Sequence, residues 1–270
     1  MRTAAVITTV ALDHTEFLGR DREAIGREKA GILRRDRPLV LGELDPPDSV
    51  LQAAARGGAR VLRRGRDFHA EDRPGGWRYR DREGAMELPP LPLAAPCQPA
   101  NAATAIAALR ALLPLDEASI RRGLAEVRIP GRMQRLPGPT EIVLDVAHNP
   151  QAAQMLARGL AARRPAGSTL AVFAALADKD AAALVGPLMG VVDAWHLAGL
   201  EGVGARAQPV EGLWPRIAGL LARVPCQRHA TVVEALRAAR ADALPGDRIV
   251  VFGSFHTVAQ ALAELQAARD

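Results

Sequence analysis

Lysine is nearly missing from this chain. Of its 35 basic residues only Lys29 and Lys179 are lysine; the rest are arginine. An exposed positive charge is served as well by arginine, so the bias alone carries no function. The positions that stay lysine are candidates for chemistry a permanently charged guanidinium cannot perform, because an amine can be desolvated, deprotonated and made to react. Aromatic residues are scarce too, at 3%. The core of a chain that is 49% hydrophobic is therefore expected to consist of Ala, Leu and Val. The two cysteines, Cys97 and Cys226, lie far apart without metal-ligand spacing. That excludes a disulfide scaffold and reads as reduced, buried or inert thiols of a cytoplasmic protein. No apolar run approaches the ~20 residues of a membrane span. The apolar part of residues 1–10 is too short for a signal peptide. A formal charge of +5 and a pI near 10.1 suit an anionic ligand. The arginines are scattered, with no basic run and few aromatics between them, which argues against nucleic acid.

At 270 residues the chain accommodates one large domain or two ordinary ones. Its first ten residues read as a strand running into Asp13-His14-Thr15, and a chain that opens inside a core strand implies more sheet upstream. A helix is predicted over Arg22–Leu33 with Asp21 as N-cap, and a short buried strand over Pro38–Gly42. Residues 60–88 mix strand-like pieces with Gly and Pro turns. A Pro-rich loop follows to Pro99, then helices over Asn101–Leu113 and Asp116–Val127. The stretch 129–139 is dense in Pro and Gly and reads as a linker and hinge between residues 1–128 and 140–270. Beyond it, strands fit Glu141–Ala147, Thr169–Leu176, Ala194–Gly199 and Arg248–Gly253. Helices fit Gln151–Arg163, Ala181–Met189, Val210–Ala222, Val232–Arg240 and His256–Ala268. Apolar strands alternating with helices predict an α/β fold with a parallel sheet covered on both faces.

Three segments carry candidate chemistry. His14 stands at the C-terminal end of the first strand, where open α/β sheets bind ligands, and Lys29 stands near the end of the next helix. Each also reads as ordinary structure, a loop histidine and a helix end favoured by the dipole. Asp145-Val146-Ala147-His148-Asn149-Pro150 delivers carboxylate, imidazole and amide at a strand end, and Pro150 opens a helix at the position that tolerates proline. Such a helix N-terminus favours phosphate or a ribose hydroxyl; a plain β-α turn capped by Asn149 is the competing reading. Gly253-Ser254 at the last strand-helix junction offers backbone N–H groups to an anion, or Ser254 or Thr257 simply caps the helix.

These segments, in this order, resemble the folylpolyglutamate synthase/dihydrofolate synthase family, a branch of the ATP-dependent Mur-type ligases. Ile7 to Gly19 with Glu28-Lys29-Ala30-Gly31-Ile32 is similar to one family signature. Pro130-Gly131-Arg132-Met133-Gln134 with Leu144 to Pro150 is similar to a second, and Gly253 to Val258 to a third. The resemblance implies the C-terminal part of a P-loop-type central ligase domain, residues 1–128, followed by a Rossmann-like Mur ligase C-terminal domain, residues 140–270. It implies ATP and two Mg²⁺ ions. By the same resemblance His14 would ligate one of these ions, and Lys29 would be carbamylated so that it offers oxygens to the same ion, which arginine cannot do. It implies ATP contacts from Asn101, Arg132 and Asp145, and catalytic roles for Lys29, Asp145, His148 and Ser254, the last two organising glutamate and an acyl-phosphate. Asp178 and Lys179 fall in an Asp-Lys-Asp loop of the family. The implied reaction couples L-glutamate to dihydropteroate, to folate or to both, by a monomer with no nucleic-acid or membrane partner.

No Gly-x-x-Gly-Lys-Ser/Thr phosphate loop occurs in the 270 residues. In the family that loop precedes the residues seen here. The expectation is that this polypeptide does not catalyse ligation alone. A fragment of a peptidoglycan-type ligase and a non-catalytic remnant that binds nucleotide or a partner are the alternatives.

Overall fold

The computed structural model describes residues 3–12, 19 and 21–268. Their contacts divide into two compact units. One holds the described residues up to Pro92 together with Cys97–Arg128; the other holds Leu93–Pro96 and everything from Ile129 onward.

The first unit contains two small sheets. Strands β1 (Ala5–Ile7), β2 (Pro38–Leu41) and β3 (Arg60–Arg63) are parallel in that order. Their connections are helix α1 (Arg22–Lys29) and helix α2 (Asp48–Gly57). Asp21 caps α1 by accepting from Ala24 N at 2.7 Å, as the sequence predicts. The helix itself stops at Lys29 and tightens into a 3₁₀ turn over Ala30–Ile32, so the predicted end at Leu33 lies one turn too far. Residues 60–88, legible only as strand-like pieces, also form β4 (Phe68–Arg73), β5 (Gly76–Asp81) and β6 (Gly84–Leu88), an antiparallel meander. Helices α3 (Gln98–Arg110) and α4 (Glu117–Glu126) complete the unit. Phe68, Trp77, Tyr79 and Leu88 of the meander pack against Ala103, Ile106 and Ala107 of α3.

The second unit is a six-stranded sheet, ordered β11-β10-β9-β12-β8-β7. Its strands are β7 (Gln134–Leu136), β8 (Glu141–Asp145), β9 (Thr169–Phe173), β10 (Ala194–Ala198), β11 (Cys226–His229) and β12 (Arg248–Phe252). All are parallel except β7, which runs against β8. The stretch read as a linker thus contributes an edge strand to this sheet. The helices are α5 (Pro150–Ala162), α6 (Ala181–Val185), α7 (Val210–Leu213), α8 (Ala218–Leu221), α9 (Val232–Asp242) and α10 (Phe255–Ala267).

Alternation along the strands assigns the two faces. Ile142, Leu144, Leu170, Val172, Ile249 and Val251 meet Val232, Leu236 and Ala239 of α9 and Val258 and Ala261 of α10. The intervening positions point the other way, and Arg248 among them reaches the Leu160 carbonyl of α5. Helices on both faces of a parallel sheet is the predicted architecture. The expectation of an Ala, Leu and Val core needs amending. Scarce as they are, the aromatics sit mostly inside: Phe68, Trp77, Tyr79, Phe173, Trp195 and Phe252 are all 2% exposed or less. Phe173, Trp195 and Phe252 form a triangle with ring centroids 4.8 to 6.2 Å apart. Large rings fill volume that many alanines leave, and edge-to-face pairs add attraction beyond burial.

Candidate functional site

The loops after β8, β9 and β12 leave the sheet at the same, C-terminal edge, where a doubly wound fold places its ligands. The candidate residues of the second unit collect there. Asp145 ends β8, 8% exposed, and its carboxylate is fully engaged with backbone. Oδ2 accepts from Met133 N and Oδ1 from Ala147 N, both at 2.8 Å. Burial pushes the Asp145 pKa up, against these two N–H bonds and the positive charge of Arg132, which pull it down. Each carboxylate oxygen has a second acceptor site, so a further contact is open to it.

The loop that Asp145 holds has an unusual backbone. Gly131 has φ +68° and Met133, which carries a side chain, has φ 45°. A Cβ on Gly131 would stand 2.9 Å from Val146 and 3.0 Å from Val258, so glycine is required both by conformation and by space. Gly131 N donates to Gln134 Oε1 at 3.0 Å, and its carbonyl accepts from Val146 N at 2.8 Å. This folding presents Arg132, whose guanidinium lies 5.5 Å from the centroid of the Phe255 ring. His148 lies on the same ring, with centroids 5.7 Å apart. Its Nδ1 contacts the Val146 carbonyl at 2.8 Å; a carbonyl only accepts, so this contact calls for the Nδ1–H form. Asn149 caps α5 by accepting from Ala152 N at 2.9 Å, with Pro150 as the first helical residue.

Ser254 is 2% exposed, and its hydroxyl meets Thr257 N at 3.0 Å and Thr257 Oγ1 at 2.7 Å. Of the two readings offered by the sequence, the geometry is that of a helix cap. Gly253 before it has φ +120°, and a Cβ there would lie 2.3 Å from the Ala174 carbonyl. In the loop after β9, Lys179 is 8% exposed and 3.8 Å from Asp178, which also faces Arg206 at 3.6 Å. Arg216 donates to the Lys179 carbonyl, tying this loop to the segment after α7.

The other candidates belong to the first unit. Lys29 Nζ donates to the Thr9 carbonyl at 3.1 Å, so the fold brings this amine to the segment just past β1. The spacing of His14 and Lys29 alone could not establish that approach; His14 itself lies outside the described residues. Asn101 is exposed on the first turn of α3 and donates to Gln98 Oε1 at 3.4 Å. Sequence reasoning passed over Phe255. It lies within the third signature, Gly253 to Val258, and is 57% exposed between Arg132 and His148. A large aromatic opening a helix immediately after Gly-Ser was the available signal. Among the described residues no group of three His, Cys, Asp or Glu could hold a metal, and no helix is long and apolar enough to cross a membrane.

A parallel sheet with helices on both faces, and a strained loop holding an arginine and a histidine at its C-terminal edge, match a known class. Residues 131–255 match the family model for the Mur ligase, glutamate ligase domain. The chain belongs to the folylpolyglutamate synthase/dihydrofolate synthase branch of that class. It is 42% identical over 267 residues to the dihydrofolate synthase/folylpolyglutamate synthase of Escherichia coli K12, covering 98% of this chain and 61% of that protein. Among solved structures, E. coli FolC in complex with DHPP and ADP aligns with a TM-score of 0.91 at 40% identity, over 99% of this chain and 62% of that one. A bifunctional folylpolyglutamate synthase/dihydrofolate synthase with Mn, AMPPNP and L-glutamate bound aligns with a TM-score of 0.85 at 40% identity, over 97% and 62%. The chain thus spans about three fifths of the length of the relatives it matches.

Proposed function

We propose that this chain forms part of an ATP-dependent ligase that joins L-glutamate to the carboxylate of dihydropteroate or folate. The observation that carries the reading is the collection of Arg132, Asp145, His148 and Phe255 at the C-terminal edge of the second unit's sheet, in a chain whose solved relatives are complexes with ADP or with AMPPNP and L-glutamate. In the proposed reaction the substrate carboxylate attacks the γ-phosphoryl group of ATP, giving an acyl phosphate and ADP. The amine of glutamate then attacks the acyl carbon, phosphate leaves, and an amide forms.

Each residue has a task suited to its setting. Arg132, held over Phe255 by a loop that Asp145 pins at Met133, offsets charge on the transferring phosphoryl group. Asp145 contacts the nucleotide. His148, with Nδ1 fixed on the Val146 carbonyl, orients the second ring nitrogen towards the reacting groups. Ser254 acts through α10, whose first turn it caps and which carries Phe255. Residues 1–128 would supply the ATP-binding part and residues 140–270 the glutamate part.

Magnesium supplies charge neutralisation at the phosphates when bound. Lys29 suits such a site only as its carbamate, since an ammonium does not ligate a cation and magnesium prefers oxygen. The observed bond is compatible with that form, because a carbamate nitrogen keeps one N–H for the Thr9 carbonyl. His14 would be the partner ligand.

Equilibrium binding of ADP to the chain tests the reading directly. Binding that weakens at least about tenfold in Arg132→Ser supports it. ADP binding indifferent to Arg132→Ser and Asp145→Asn overturns it.

A further inference from the structure

The first unit holds a cavity of about 400 Å³ that none of the candidate site residues named above lines. It opens between β3, the turns of the β4–β6 meander and the end of α3. Its floor is the buried rings of Phe68 and Tyr79. One wall is a fixed polar cluster. Arg110 donates Nη1 to both oxygens of Asp81 at 2.9 and 3.1 Å, and Tyr79 donates its hydroxyl to Asp81 at 2.8 Å. The Arg110 guanidinium also lies 5.5 Å from the centre of the Tyr79 ring, and Glu83 stands 3.4 Å from Nη1. Its Nε is buried with no hydrogen-bond partner.

Around this wall stand four more arginines, Arg60, Arg66, Arg80 and Arg82. Arg80 pairs with Glu71 at 3.5 Å, and Arg60 donates to the Ala111 carbonyl. Arg66 and Arg82, each on a turn at the rim, make no ion pair among the described residues. The lining acids do not balance them. Asp81 and Glu83 face Arg110, and the third, Asp67, accepts from Arg63 N at 2.8 Å. Five guanidiniums against three carboxylates leave a formal excess of two positive charges on the lining, or one when Glu71 beside Arg80 is counted. They rise from separate elements, which aims them at one space, and guanidiniums meet phosphate and carboxylate oxygens in pairs. The volume is within the range of small-molecule sites.

We propose that this cavity binds a small molecule carrying at least two anionic groups, phosphate or carboxylate, at a site separate from the nucleotide-binding loop of the second unit. Arg66 and Arg82 would make the contacts that leave when the ligand leaves. The rim arginines are exposed, so salt weakens binding steeply.

Titration calorimetry of the whole chain at low salt tests this with two probes, inorganic pyrophosphate and citrate, which separate a phosphate from a carboxylate source. We expect at least one to bind with a Kd of about 1 mM or tighter. Arg66→Ser/Arg82→Ser should weaken it by about tenfold or more, and Arg132→Ser should leave it unchanged. Thermal midpoints equal to wild type confirm folding; should the double variant fail to fold, Arg60→Ser serves instead. Binding of neither probe, or binding equal in wild type and rim variants, overturns the proposal. A loss confined to Arg132→Ser shows that the probe occupies the nucleotide loop and overturns it as well, while leaving the proposed function intact.

Discussion

Removing the Asp145 carboxylate should destabilise the second unit by an amount the structure lets us work out. Asp145→Ala leaves two buried donors without acceptors, the N–H groups of Met133 and Ala147, whose residues are 2% and 0% exposed. An orphaned buried donor costs about 1–3 kcal/mol. Part is recovered because a carboxylate no longer has to be buried, so a net loss of about 2–4 kcal/mol is expected. For a domain of this size that lowers Tm by about 5–15 °C. Asp145→Asn retains one acceptor but turns an amide donor on the other N–H, and so rescues only part.

The pH profile gives a second, independent readout. Burial raises the Asp145 pKa in the folded state. Between the ordinary aspartate value and that raised one, the folded chain holds more proton than the unfolded chain, so stability falls as pH climbs through the window. The difference between wild type and Asp145→Asn should carry this slope. Urea unfolding of the whole chain at a series of pH values measures both. Unfolding free energies of Asp145→Ala within about 0.5 kcal/mol of wild type, or parallel pH profiles, would refute the reasoning.

Other expectations follow from single features. His196 and His229 stack with centroids 5.4 Å apart, and burial lowers the pKa of each. Stability present above the ordinary histidine value should be lost as pH falls through the lowered ones, and His196→Phe should flatten that acid limb in urea titrations. Gly131→Ala adds a left-handed penalty and a clash with Val146 and Val258, a loss of about 2–4 kcal/mol read as a lower urea midpoint. Lys29→Arg removes the lysine amine that meets the Thr9 carbonyl. A carbamate carbon signal from ¹³C-bicarbonate should appear in wild type and vanish in this variant, and its absence from both would sink the assignment.

Much of the second unit was readable because β8, β9, β10 and β12 are short apolar runs between helices, a pattern few folds share. What escaped has local causes. β11 reads Cys-Gln-Arg-His, with no apolar alternation, because an edge strand buries little. The single helix predicted over 210–222 is three short pieces, since Pro215 lacks the N–H an α-helix interior needs. The predicted strand over 248–253 ends one residue early, where Gly253 turns to positive φ. Asp145 and His148 were legible from the strand-then-Pro grammar of their segment. The positive φ of Met133 was not, because nothing in a methionine announces it; only the fully engaged carboxylate of Asp145 shows what holds it there.

The scarcity of aromatics has an optical consequence. The chain has three tryptophans. Trp77, 2% exposed, belongs to the meander of the first unit, and Trp195, fully buried, to the sheet of the second. Trp214, half-buried, lies under the Arg228 guanidinium at 5.3 Å. With Trp214 replaced by phenylalanine, each unit keeps one sealed indole, and its emission shifts to the red when that unit opens. Deleting either remaining indole leaves a label-free fluorophore specific to the other unit. Coincident unfolding traces from the two single-tryptophan chains would mean that both units melt as one cooperative body, and separated traces would rank their stabilities directly.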